Sequence, residues 1–229
     1  MASPWTPAYV LHQRPFRDQS VVLELLTQDG GRLGAVYHRG RGRKAPPLAF
    51  VPGEWQLAGR GDLRTAYGFQ SGPGQPLTGQ ALFAGLYLNE LLLRLFPREA
   101  PAEGLFEAYG EALDALRLAP LAEPVVLRRF EWACLEALGL AFSLTEDGGG
   151  QALRPGDAYR FEPGVGLLAA APGQGWAGAE LLALAEGDFS TPALRHLARA
   201  LFAAALAPAL GGRPLQGARF LSDPDGGLG

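Results

Sequence analysis

The sequence predicts an α+β protein: a small five-stranded barrel at the N-terminus, followed by a mainly α-helical domain with a small β-hairpin insertion. Three observations predict it. The first seventy residues hold short apolar runs of β-branched and aromatic residues broken by turn signals. From Gly79 onward, apolar residues recur at helical spacing instead. Between the two lies Gln70-Ser71-Gly72-Pro73-Gly74-Gln75-Pro76, a segment that suits a domain boundary. The expected division is therefore 1–75 and 76–229.

The barrel elements follow in order. Tyr9–Gln13 reads as a short extended run and Val21–Thr27 as a richer one. Gln28-Asp29-Gly30-Gly31 is a turn, after which Arg32–His38 returns as the partner strand. Glu54–Ala58 and Arg64–Phe69 are two more strands, joined by Gly59-Arg60-Gly61-Asp62. Five such strands suit an oligonucleotide-binding (OB) barrel, and SH3-like barrels have similar counts.

In the second part, Leu82, Phe83, Leu86, Tyr87, Leu91 and Leu95 mark a helix ending at Pro97. Glu103–Leu118 is the next, and Glu123–Leu140 the third, with Pro124 at its start and Gly139 near its end. Ser190 or Thr191 caps a further helix that has Pro192 in its first turn and runs to about Leu206. Between them an irregular stretch over about 142–178 holds a hairpin, Asp157–Glu162 with Val165–Ala170, closed by Pro163-Gly164.

Composition narrows the function classes. The single cysteine, Cys134, excludes an internal disulfide and a cysteine-based zinc cage. It sits in an apolar run and reads as a small buried hydrophobe. Met1–Trp5 has no basic start before an apolar stretch, and the longest apolar run, Ala200–Leu210, contains Pro208. A membrane span needs about twenty apolar residues, so the expectation is a soluble, cytoplasmic protein with no membrane partner. The net charge of −3 hides an asymmetry: residues 1–80 sum to +4 and residues 81–229 to −7. A basic part suits a polyanionic partner.

No catalytic constellation emerges. His12, His38 and His196 have no ligand or triad partner at useful spacing, and neither a phosphate loop nor a Gly-x-Ser-x-Gly elbow is present. Gly173-Gln174-Gly175-Trp176-Ala177-Gly178 matches Gly-x-Gly-x-x-Gly between an apolar strand and a short helix, Ala179–Glu186. A nicotinamide-dependent enzyme is therefore one alternative. Against it stand the missing second strand, the missing acidic residue about twenty positions on, and the bulk of Trp176 where pyrophosphate would lie. No cofactor, metal or catalytic residue is expected.

The segment most suggestive of function is Tyr37-His38-Arg39-Gly40-Arg41-Gly42-Arg43-Lys44. Arg39, Arg41, Arg43 and Lys44, the chain's only lysine, form a basic loop with glycines that allow close backbone approach. Arg60 and Arg64 extend the strip, and Tyr37, Phe16 or Trp55 offers a stacking face for bases. The plainer reading is a solvated basic loop.

At these residues the sequence resembles the bacterial DNA-repair family RecO. The resemblance runs from Tyr9–Ser20 through Thr27–Arg32 and the basic loop to Gly59–Leu63. It continues in Gly85–Leu92, Leu127–Glu131 and Gly211–Leu215. It implies an OB barrel and a helical domain, binding of single- and double-stranded DNA, and annealing of complementary strands. It also implies work with RecR that helps RecA replace single-strand binding protein (SSB). The family docks the acidic, apolar-ended tail of SSB on its helical domain. Arg128 matches a position implicated in this and Arg195 another, with the spacing to Gly211 slipping by one residue. Arg199 lies one turn from Arg195, and Leu194, Leu197 and Leu201 are the expected apolar neighbours. Alternatively Arg128 and Arg129 pair with Glu123, Glu131 or Glu136 and support the fold. Two departures stand out: the four-cysteine zinc module that some members carry is absent from Phe142–Gly164, and the basic loop is lean in lysine. A second reading is a protein-interaction adaptor that binds SSB and RecR with little DNA affinity.

Overall fold

The computed structural model describes residues 4–17, 19–38, 47–61, 63–100 and 102–221. Arg39, Arg41, Arg43 and Lys44 lie outside the described residues. The chain forms two compact units: one reaches Pro120 and adds Leu215–Leu221, and the other spans Leu121–Pro214.

The first unit is built on a closed barrel of five strands, β1 (Trp5–Phe16), β2 (Ser20–Thr27), β3 (Gly31–His38), β4 (Pro52–Ala58) and β5 (Leu63–Ser71). Their order is β1-β2-β3-β5-β4, with β4 returning to pair with β1 and only β3–β5 parallel. This five-stranded OB-type closure leaves no open sheet edge. Val21, Leu23 and Leu25 of β2 and Leu33, Ala35 and Tyr37 of β3 alternate into the core, where they meet Val10, Trp55 and Ala66.

Two bulges distort the barrel. Val10 pairs with Leu25 and His12 with Glu24, so Leu11 is an extra residue in β1. Gln56 pairs with Gly68 and Leu57 with Ala66, so Tyr67 is an extra residue in β5. The second bulge reverses the alternation of β5, and Phe69 turns inward to lie 4.4 Å from Trp55, centroid to centroid.

Two helices, α1 (Gly79–Leu95) and α2 (Leu105–Leu118), complete this unit. A bulged strand residue lacks a ladder partner, and a buried carbonyl without one is costly. Here the Leu11 carbonyl accepts a hydrogen bond from Asn89 Nδ2 at 2.8 Å, and Asn89 Oδ1 accepts one from the Tyr109 hydroxyl at 2.5 Å. Tyr9 packs edge-on against Tyr109, 5.0 Å between centroids. Burial pushes the hydroxyl of Tyr109 well above its ordinary pKa, so it stays a donor. Arg98 pairs with Glu24 of β2, and Arg32 of β3 donates to the Leu93 carbonyl. The returning segment is held by Glu90, whose carboxylate accepts from the backbone of Gln216 and Gly217, while Phe220 stacks on Phe83.

The second unit holds α3 (Glu123–Ala137), the hairpin β6 (Ala158–Glu162) and β7 (Gly166–Ala170), the short strand β8 (Trp176–Ala177), α4 (Gly178–Ala185) and α5 (Pro192–Leu206). Helix α3 stops three residues before the predicted end. Gly139, at φ +66°, donates to the Glu136 carbonyl and Leu140 to that of Leu135, a Schellman termination. Helix α5 starts as expected: Thr191 Oγ1 accepts from the Leu194 amide, with Pro192 at the first position.

The glycine motif at 173–178 serves packing. Trp176 and Ala177 form β8, antiparallel to β6, so no βαβ unit exists here. A Cβ on Gly175 would lie 2.3 Å from the Tyr159 carbonyl oxygen, and one on Gly178 would lie 2.0 Å from that of Arg154. Both glycines admit neighbouring backbone where a phosphate would otherwise have to fit.

Replacing Asn89 with leucine removes the bonds to Leu11 and Tyr109 together. It is expected to lower stability by about 2–4 kcal/mol, against about 1–2 for Tyr109→Phe, read from urea unfolding midpoints. Cys134 is buried, and burial pushes its thiol pKa well up. An aromatic disulfide reagent at neutral pH should therefore modify it only after denaturation, whereas rapid labelling of the native protein would contradict this packing.

Candidate functional site

The best-formed concavity among the described residues lies within the second unit and encloses about 480 Å³. Helix α3 supplies Arg128, Arg129 and Trp132, and the chain after it supplies Leu144 and Thr145. The end of α4 and the link to α5 add Leu184, Ala185, Gly187 and Phe189, and α5 adds Phe202. Most of this wall is apolar. A concave apolar surface with a few cationic groups suits a ligand that is both hydrophobic and anionic.

The two arginines differ in character. Arg128 is only 5% exposed, and its Nη2 donates to Glu131 Oε1 at 2.7 Å, one helical turn away. Arg129, the next residue, is exposed. The fold-supporting pairing of Arg128 with Glu131 is thus present, and the same arginine lines the cavity. Trp132 is fixed by its Nε1 donating to Glu136 Oε1 at 2.9 Å, and by ring contacts with Phe142 and Phe202 at 5.5 and 5.3 Å.

Arg195 sits beside the cavity rather than in its wall. Its Nη1 donates to the carbonyls of Phe189 and Ser190 at 2.8 and 2.9 Å, holding the link that carries Phe189. Arg199 is half-buried, one turn further along α5, and is likewise not in the wall. Leu194, Leu197 and Leu201 do not form the apolar wall as expected. They face the unit's core on α5, and the wall comes from Leu144, Leu184, Phe189 and Phe202. Phe202 follows Arg195 and Arg199 at spacings of seven and three, so helical periodicity placed it on their stripe. Nothing in the sequence singled out Phe189 or Leu144. A second, wider cleft of about 660 Å³, between Trp176 and Glu180 on one side and Pro192 and His196 on the other, contains none of the predicted arginines.

The barrel residues are less uniform than expected. Arg60 is exposed in the β4–β5 turn. Arg64 lies on β5, and its Nη2 pairs with Glu99 Oε1 at 3.2 Å. Tyr37 and Trp55 do not offer a stacking face. Tyr37 is 4% exposed and Trp55 wholly buried, packed edge to face at 5.6 Å inside the barrel. Tyr37 shares the inward alternation of Leu33 and Ala35, so the pleat sends its ring to the core. Phe16 is half-buried at the end of β1, with the Arg17 guanidinium over its ring.

Among the described residues, no three His, Cys, Asp or Glu side chains gather as metal ligands, and no helix is long and apolar enough to cross a membrane.

Comparison with known proteins meets this geometry. Residues 76–186 match the family described as Recombination protein O C terminal. The chain is 44% identical over 224 residues to the DNA repair protein RecO of Stutzerimonas stutzeri, covering 94% of each chain. It is 45% identical over 213 residues to the DNA repair protein RecO of Pseudomonas aeruginosa, covering 90% of each. With that of Pseudomonas entomophila the identity is 44% over 214 residues, covering 91% of this chain and 93% of the relative. Barrel, helical part and near-full-length identity together make this chain a member of the RecO family of DNA repair proteins.

Proposed function

We propose that this RecO-family chain is a recombination mediator without bond chemistry of its own. It binds single- and double-stranded DNA and anneals complementary strands. It captures the SSB tail and, with RecR, helps RecA load on SSB-coated single strands. The observation that carries the reading is the arginine-rimmed apolar cavity of the second unit. An acidic peptide ending in an apolar residue needs an apolar pocket for its last side chain and a cation for its terminal carboxylate. Arg129 is exposed and positioned for the carboxylate, while Arg128 sets the inner wall through Glu131. Arg195 acts by holding Phe189 against the pocket. Arg39, Arg41, Arg43 and Lys44 neutralise phosphates, and Arg60, exposed in the β4–β5 turn, adds a further cation.

The two arginines of α3 should separate in measurement. Arg129→Ala is expected to leave stability within about 0.5 kcal/mol and to weaken binding of an SSB-tail peptide about tenfold. Arg128→Ala, which removes the guanidinium paired with buried Glu131, should cost about 3 kcal/mol of stability as well as peptide affinity. Peptide affinity unaltered by Arg129→Ala would remove the cavity from the mechanism.

The DNA contribution is tested by changing Arg41, Arg43 and Lys44 to alanine together. Oligonucleotide affinity should fall, and the slope of log K against log salt should become shallower by about two for a single strand. The mediator reading also expects the protein to accelerate annealing of complementary strands pre-coated with SSB. Intact tail binding without acceleration would favour the adaptor reading, which the chain's net charge of −3 also suits.

A further inference from the structure

At the bulge in β5 stands an exposed aromatic, Tyr67. An unbroken β5 alternates inward and outward, but the extra residue at Tyr67 lets Ala66 and Phe69 both turn inward. Tyr67 is left 50% exposed on the outer surface of the barrel. The pairing places its neighbours. Trp5 of β1 is opposite Gln56 of β4, which is opposite Gly68 of β5. Trp5 is itself 40% exposed. Two strand spacings, about 10 Å, separate the β1 and β5 positions.

On β5, the residue in register with Gln56 is Gly68. A Cβ there would lie 2.5 Å from Gln56 Oε1, so the Gln56 amide lies across the glycine. The surroundings set a direction. Helices α1 and α2 pack near the other end of these strands, where Arg117 donates to the carbonyls of Gln75 and Phe50. The Trp5–Tyr67 end has exposed Leu63 and Arg60 beyond it. Glu54 lies two residues back along β4, on the side a phosphate would avoid. Ala66 pairs with Tyr37, so Tyr67 adjoins His38, the last described residue before the arginine-rich loop.

We infer that Tyr67 and Trp5 form a stacking platform for unpaired bases on the outer face of β1, β4 and β5, with the phosphates running on the Arg60 side. The inference rests on the proposed DNA binding and adds to it a preference for single strands that charge alone cannot provide. Aromatic faces accept any base, since every base has a π face, and each stacked base contributes substantially to affinity. Phosphate contacts are indifferent to whether a base is present.

The test uses the full chain, a short oligothymidylate and an abasic strand of the same length, with binding followed by anisotropy. Tyr67→Leu and Trp5→Leu are each expected to weaken oligothymidylate binding about tenfold. They should leave abasic binding and the salt slope unchanged. Tyr67→Phe keeps the ring and should restore affinity to within about twofold, which separates stacking from any disturbance of the bulge. Equal losses on both strands, or no loss on oligothymidylate, would overturn the platform while leaving DNA binding in place. A wild-type protein that binds neither strand would overturn both.

Discussion

The first unit depends on one buried chain of hydrogen bonds, from the Leu11 carbonyl through the Asn89 amide to the Tyr109 hydroxyl. A barrel strand with an extra residue must bend, and the bend leaves a backbone carbonyl outside the ladder. Water cannot serve that carbonyl here, because Tyr9, Leu11 and Leu88 are buried around it. Asparagine answers the need: its amide donates to the carbonyl while its own oxygen takes the tyrosine proton. The bulge, the register of α1 and the position of α2 are therefore one solution. An apolar residue at 89 would leave the Leu11 carbonyl and the Tyr109 hydroxyl without this partner, while Arg32, Arg98 and Tyr9 still tie the barrel to the helical segments.

The second unit uses charge differently. Arg128 and Glu131 are both buried on α3, where an ion pair adds little net stability but is costly to break. Its value is positional. It holds one arginine at the cavity wall and leaves Arg129 next to it exposed. Arg195 works the same way on α5, spending its hydrogen bonds on backbone carbonyls so that the link bearing Phe189 is fixed. The arginines that shape the cavity are thus largely distinct from the one open to a ligand.

Much of this was legible in the chain. Period-two runs located all five strands, and Thr191-Pro192 marked the start of α5 because a side-chain oxygen before a proline is what a helix N-terminus needs. The inward path of Tyr37 was also readable, since Leu33, Ala35 and Tyr37 share one alternation. The bulges were not. A bulge is set by what packs on the strand, and no turn or breaker signal at Leu11 or Tyr67 itself announces one. The cavity was half legible: the family resemblance pointed to Arg128 and helical spacing to the α5 stripe, but Leu144 and Phe189 reach it from irregular segments whose path only tertiary packing decides. The glycines at 173–178 show the converse. Their spacing resembled a cofactor loop, and the reason for them is the close approach of Tyr159 and Arg154.

The two anionic partners proposed for this protein, a DNA strand and a tail peptide, need not compete through the same chemistry. The cavity offers mostly apolar wall and one open cation, so the affinity it provides rests on removing hydrocarbon from water and responds little to salt. A strand held by the proposed basic residues would release counterions with each neutralised phosphate, which makes such an affinity steep in salt. The charge is +4 over residues 1–80 and −7 over the remainder, part of which lies on α1 and α2 of the first unit. On the proposed reading, residues 121–214, with seven arginines against ten carboxylates, disfavour DNA and leave a peptide's carboxylate dependent on the arginine beside the cavity. Selectivity between the two anions then comes from shape and burial, with net charge deciding only which part of the chain a long polyanion will meet.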